Sequence, residues 1–318
     1  MISSYEKQQK DEAIQRLTGL VNSKNPDDRV TAARDKNIPP DMLFKLIHDE
    51  DDYVSLIAFH NKNLSPDLLS KLADDEDEDV RYHVARCLWV TPDLLSKLAD
   101  DEDEGVRGAV SQNISTPLEV LSKLADDEKV RVRRFVSEHP IITDDILSKL
   151  ADDEDEDVRC GVARHPNASP DLLSKLADDV SSGVRYCVAR HPNASFLLSK
   201  LADNVSVSVR CGVARHPNAS PDLLSKLADD EDEDVRCSVA YNPKTPIIAL
   251  IKLSNDKDDL VRIGVVSNPS TPKDVLLKFW RVDTCLEVKF GVRKHPALAD
   301  DEFIKTAMLG EWWTDRDR

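Results

Sequence analysis

Ten leucines, Leu43, Leu69, Leu95, Leu121, Leu147, Leu173, Leu198, Leu224, Leu250 and Leu276, recur every 26 residues, with one step of 25 between Leu173 and Leu198. A fixed period of this size means that each unit is a supersecondary element unable to bury its apolar face alone, so neighbouring copies must stack to build a continuous core. The length of 318 residues by itself allows about two domains. The repeat, however, runs without a Gly/Ser-rich or Pro-rich break, so the expected organisation is an N-terminal cap (1–25), one elongated repeat domain (26–297) and a C-terminal cap (298–318). Aromatic residues make up only 5% of the chain, which fits a core of thin Leu, Val and Ala layers.

One copy shows how a unit folds. Ser169 is a good N-cap, Pro170 suits the first helical position, and Asp171 complements the positive end of the helix dipole. Leu172, Leu173, Leu176 and Ala177 then form one apolar stripe. The Ser/Thr-Pro signal recurs at Ser65, Thr91, Thr116, Ser220, Thr245 and Thr271, and a helix is expected to begin at each. A second segment carries Val184, Val188 and Ala189 on one side and stops before Pro192, because a residue preceding proline avoids helical geometry. It reads as a second short helix that could be partly 3₁₀. Neither piece is long enough to be stable alone, so docking onto adjoining copies must supply the rest.

Recurrence within the chain separates framework from variation. An arginine opens the second segment at Arg81, Arg107, Arg133, Arg159, Arg185, Arg210, Arg236 and Arg262. An aspartate stands seven residues before it from Asp74 to Asp229, with Asn255 the one departure. This predicts a structural Asp–Arg ladder joining the turns. Histidine precedes proline at His139, His165, His191, His216 and His295, and asparagine replaces it at Asn113, Asn242 and Asn268. Only His titrates near neutrality, so the exchange predicts a hydrogen-bonding role at the end of the second helix.

The unit Asp-acidic run-Val-Arg-x-x-Val-Ala-x-His/Asn-Pro-x-x-Ser/Thr-Pro-x-x-Leu-x-x-Leu-Ala resembles the leucine-rich repeat variant family, with HEAT-like features in its Asp…Val-Arg…Ala core. The resemblance implies an all-α fold: an α-solenoid wound as a right-handed superhelix of about ten two-helix repeats. The variant family implies alternating α and 3₁₀ segments, HEAT repeats paired α-helices. One member of the variant family holds an iron–sulfur centre on an N-terminal cysteine cluster. No cysteine precedes Cys87 here, so that centre is not carried over.

Candidate contact residues lie in two columns of the second helix, one turn apart, that vary while their neighbours do not. The first holds Tyr82, Arg134, Cys160, Tyr186, Cys211 and Cys237. The second holds Arg86, Arg164, Arg190, Arg215 and Tyr241. Together they are expected to form an exposed face lining a groove. The next column is small at Ala109, Gly161, Cys187, Gly212, Ser238 and Gly264, which suits close packing there. Equivalent atoms in adjacent repeats should be about 8 to 10 Å apart, too far for a disulfide or a zinc site, so Cys211 and Cys237 are expected to be free thiols. Acidic runs at 74–79, 152–157 and 229–234 read as a solvated edge. They lapse at 181–183 and 205–208, which makes the region around 180–220 the expected docking site. Phe303, Ile304, Met308, Leu309, Trp312 and Trp313 would close the last layer.

The function these features predict is a non-enzymatic protein-interaction scaffold, with no catalytic residue, cofactor or metal. Scattered cysteines and a polar N-terminus favour a reducing cytoplasm and no membrane. A net charge of -17 opposes nucleic acid. The alternatives are a nucleic-acid-associated HEAT-like protein, including a base-excision enzyme, that places Arg164, Arg190 and Arg215 on phosphates, and an accessory subunit of a cofactor-attaching enzyme.

Overall fold

The computed structural model describes residues 4–298, with side chains from residue 8. Among these residues the chain is a succession of short helices with no strand, the all-α repeat fold expected. It divides into two compact units, Met1–Leu150 and Ala151–Arg318. The residues assigned to the C-terminal cap lie outside the described residues apart from Leu298, which is buried. At the other end, helix Ser4–Val21 packs on helix Pro26–Ala33 and buries Leu17 and Val21.

Within each unit the second helices stand side by side. In the first unit Glu78–Arg86 contacts Glu104–Gln112, which contacts Val130–Ser137. In the second unit Glu156–Arg164, Ser182–Arg190, Val207–Arg215, Glu233–Tyr241, Asp259–Ser267 and Leu286–Lys294 each meet the next. The recurring leucines, Leu95, Leu121, Leu173 and Leu224 among them, are wholly buried on the first helices, as are Val84, Val110, Val162, Val188 and Val213 on the second. The small column permits the close approach. A Cβ on Gly212 would lie 3.0 Å from the Ala189 Cβ, and one on Gly264 2.8 Å from the Ala240 Cβ.

Ser65, Thr91, Ser169 and Ser220 cap their helices by accepting the N–H of the residue three positions on. Thr116 and its equivalents correct the expectation. Pro117, Pro246 and Pro272 are themselves the N-caps, and the helices begin one residue later, at Leu118, Ile247 and Lys273. The buried hydroxyls of Thr116 and Thr245 instead donate to the carbonyls of Val110 and Val239. These threonines lie one step nearer the preceding helix than a capping residue does, where Ala168 and Ala219 sit in other copies.

The second helix is α-helical in every repeat, so both halves of the unit are α-helices. Apart from a three-residue turn at Pro296–Leu298, the 3₁₀ form occurs at Pro192–Leu197, in a first helix. This is where the 25-residue step falls. Phe196 replaces the Pro-Asp pair, no Ser-Pro cap remains, and α-helix persists only over Leu198–Leu201.

The acidic run does more than meet solvent. Asp101 accepts two hydrogen bonds from Arg81 of the preceding repeat, at 2.7 Å from Nε and 2.9 Å from Nη2. The other guanidinium nitrogen of Arg81 donates to the Asp75 and Glu76 carbonyls of its own turn. Asp103 caps the second helix through the Val106 amide, and Asp100 pairs with Lys123 of the following repeat. The ladder is therefore real but differently wired. Arginine takes the acid of the next repeat 20 residues on, and the acid seven residues before it takes a lysine instead. The same clamp recurs at Arg107–Asp127, Arg159–Asp179, Arg210–Asp230 and Arg236–Asp256.

The His/Asn column ties repeats along another line, as its residue exchange predicts. His216 Nδ1 accepts the Asn218 N–H at 2.9 Å, so Nε2 carries the proton and donates to the His191 carbonyl at 3.0 Å. Asn242 makes the equivalent bonds, donating to the Ala214 and His216 carbonyls and accepting from the Lys244 amide.

Candidate interaction surface

The two variable columns do not share one exposure. Arg86, Arg164, Arg190, Arg215 and Tyr241 are exposed, but Cys160 and Cys211 are 7% and 6% exposed, which corrects their assignment to the outward face. Tyr82, Tyr186 and Cys237 are half-buried. The reason is the glycine column. With neighbouring second helices so close, the following repeat covers the short side chains of Cys160 and Cys211, while Cys237 is only partly covered. The Tyr186 ring lies against Gly212, 3.2 Å from where a Cβ would stand, and the Tyr241 ring lies similarly against Gly264.

Arg134 is exposed and pairs with Glu138 on its own helix at 3.4 Å. The arginines of the second unit behave otherwise. Among the described residues, Arg164, Arg190 and Arg215 have no carboxylate within ion-pair distance. Arg190 lies over the Tyr186 ring at 6.0 Å, and Arg215 Nε donates to Ser238 Oγ at 3.0 Å. Framework arginines such as Arg159 are, by contrast, clamped by an acid on the neighbouring turn. The three guanidinium groups without a carboxylate partner sit on consecutive second helices, and the acidic run lapses ahead of two of them, Arg190 and Arg215.

The cysteines are free thiols. Hydrogen bonding between Cys160 and Cys187 lowers Cys187 to about 7, helped by Arg164 and opposed by burial, while the same bond and burial raise Cys160. Among the described residues no group of three or more His, Cys, Asp or Glu could hold a metal ion, and no helix is long and apolar enough to cross a membrane. Both ring nitrogens of His191 and His216 are engaged in hydrogen bonds, leaving neither free to act as a base or ligand.

One feature of the first unit was missed by sequence reasoning, although the signal was present. Where other copies carry His-Pro-Asn, as at residues 165–167, this chain has Cys87-Leu88-Trp89, and Phe59 stands in the place of Ala85. These departures meet around a cavity of about 460 Å³.

Comparison with known proteins follows the repeats. Residues 156–181 and 208–232 match the model of the leucine rich repeat variant. A solved leucine-rich repeat variant, described as having a novel repetitive structural motif, is 27% identical, covering 70% of this chain and 92% of its own with a TM-score of 0.53. An engineered protein aligns at 17% identity over 88% of this chain and 97% of its own, with a TM-score of 0.34. The Escherichia coli protein YibA aligns at 16% over 86% and 97%, also with a TM-score of 0.34. No curated protein matches the sequence. The two stretches 156–181 and 208–232 are thus matched as leucine-rich repeat variant repeats, and the other copies, which carry the same consensus in the same two-helix form, resemble them.

Proposed function

We propose that this protein is a non-enzymatic interaction scaffold whose contact surface in the second unit is the exposed side of its second helices. The observation that carries this reading is the row Arg164, Arg190 and Arg215, unpaired on three successive helices of a chain that otherwise pairs its framework arginines. Rigid helices hold the row, so a partner would find its contacts preorganised and lose little affinity to ordering them. Tyr186 and Tyr241 add flat apolar area beside the charges, and Cys160 and Cys211 serve as packing beneath them. Successive second helices lie roughly 8 to 10 Å apart, close to the rise of three residues of extended chain at about 3.3 Å each. The partner that fits is an extended protein segment with a carboxylate at every third residue. No reaction is assigned to the surface, since the recurrent His, Asp and Arg groups are occupied in holding repeats together.

The same row could contact phosphates, and the chain's net charge of -17 weighs against that reading. Fluorescence polarisation with a labelled nine-residue peptide bearing Glu at every third position separates the two. Salt-sensitive binding that falls at least tenfold in the R164Q/R190Q/R215Q variant is expected, with no salt-dependent binding of duplex DNA. Equal peptide binding by the variant, or DNA binding that exceeds peptide binding, would refute the scaffold reading of this face.

A further inference from the structure

The first unit holds a second candidate surface that owes nothing to the arginine row. Helix Asp52–Phe59, helix Glu78–Arg86 and residues 87–89 enclose the 460 Å³ cavity named above. Its rings are already organised. Phe59 stacks on His83 with centroids 4.8 Å apart, and Tyr82 meets His83 edge-on at 5.5 Å. Leu88 is 75% and Trp89 41% exposed at the rim. The stacking of repeats requires none of this, because other copies achieve it with alanine, histidine, proline and asparagine at the same places. Cys87 accounts for part of the space: its thiol reaches only weakly toward the Phe59 carbonyl, at 4.0 Å, where an imidazole or carboxamide bridges in other copies.

Charge narrows the occupant. Two further cavities along these turns are lined by acids that already have basic partners: Asp74, Asp75, Asp100 and Asp101 in one, paired with Lys97, His48, Lys123 and Arg81, and Asp126 and Asp127 in the other, paired with Lys149 and Arg107. The cavity at Trp89 has no acidic residue in its wall. It presents Arg86, which has no carboxylate partner among the described residues and is held by a 2.8 Å bond to the Tyr82 hydroxyl. Aromatic walls commonly receive a cation. Here Arg86 itself lies over the Tyr82 ring at 5.6 Å, so an incoming cation would meet a guanidinium group already in place. The remaining combination is an apolar ring between Trp89, Leu88 and Tyr82 with a negative group beside it.

We propose that this cavity is a docking site for an aromatic side chain of a partner peptide whose neighbouring carboxylate pairs with Arg86. Exposed Leu88 and Trp89 supply the area that a bound ring would cover, and Arg86 supplies the direction. Burial pushes the Cys87 thiol up to about 11, so the floor stays uncharged at neutral pH.

The test uses the full chain and three probes, with the Trp89 indole N–H followed by NMR and assigned through W89F. N-acetyl-L-phenylalanine with a free carboxylate is expected to shift that signal saturably. N-acetyl-L-phenylalaninamide should bind about tenfold more weakly, the usual loss when a charge-assisted hydrogen bond goes, and tetramethylammonium should not bind. R86Q, a surface change, should bring the acid down to the level of the amide while leaving the amide unchanged. L88S should weaken both, with the melting temperature of each variant confirming that it folds. Equal binding of acid and amide, no effect of R86Q, or preference for tetramethylammonium would each overturn the proposal. None of these outcomes bears on the Arg164–Arg190–Arg215 row, which the peptide titration tests separately.

Discussion

Two neighbouring clamps in the second unit differ by one atom. Arg159 meets a carboxylate, Asp179, with bonds of 2.7 Å from Nε and 3.0 Å from Nη2. Arg185, one repeat later, meets an amide: Asn204 accepts one bond at 3.3 Å, and Arg185 Nε is buried without an acceptor. An asparagine offers one oxygen and a donor nitrogen where aspartate offers two oxygens. The weak clamp coincides with the 25-residue step and the 3₁₀ start at Pro192–Leu197. Clamp and cap are thus separable from stacking: Leu197, Leu198 and Leu201 remain buried although both are degraded. The repeat core tolerates a defective rung, at a local cost.

The largest way to break this comparison is to remove a sound clamp. Asp230→Asn makes Arg210 resemble Arg185, and because both partners are about nine-tenths buried the expected loss is about 3 kcal/mol in chemical denaturation. The pH dependence follows the same group. Burial pushes the Asp230 carboxyl up, but the bonds from Arg210 and the Asp232 amide outweigh it and hold it below the usual carboxylate range. Asp101, Asp127, Asp179 and Asp256 are depressed likewise. A carboxylate whose folded value is lowered contributes stability that is present above its unfolded value, so acid should unfold the wild type progressively below about pH 4. D230N should flatten that slope. A variant as stable as the wild type would show that the clamps are ornamental.

Asn204→Asp should sharpen the comparison in the other direction. It gives Arg185 Nε its missing acceptor, and a gain of about 1 kcal/mol is expected, with a steeper loss of stability in acid. An unchanged melting curve would mean that the altered backbone at Pro192–Leu197, and not the missing oxygen, sets the weakness. The smallest effect belongs to the outer lysine pairs. Lys200 and Asp178 are both more than half exposed, and Lys200→Ala should cost no more than about 0.5 kcal/mol.

Much of the fold was legible in the chain because each repeat is its own comparison. The leucine period located the buried seam, the small column located the close approach of second helices, and the exchange of His for Asn identified a hydrogen-bonding post. The capping threonines were read wrongly in three places, since Thr-Pro looks the same whether it stands at the cap or one residue before it. Arg86, Arg164, Arg190 and Arg215 are exposed, while Cys160 and Cys211, expected on the same face, are covered. Trp89 drew no notice because one departure from a consensus has little meaning until others, such as Phe59 from the previous repeat, are found beside it.

The sequence alone determined what each helix shows to its own axis, because a step of about 100° per residue sets the faces of an isolated helix without reference to anything else. That is enough for a seam, a polar side and two short helices per unit. Only the tertiary structure decided which of two adjacent aspartates an arginine takes, which cysteines the next repeat covers, and that Phe59 and Trp89 line one cavity. These depend on the offset between neighbouring repeats. That offset is set by how closely glycine and alanine let two backbones approach, a distance no spacing along the chain records.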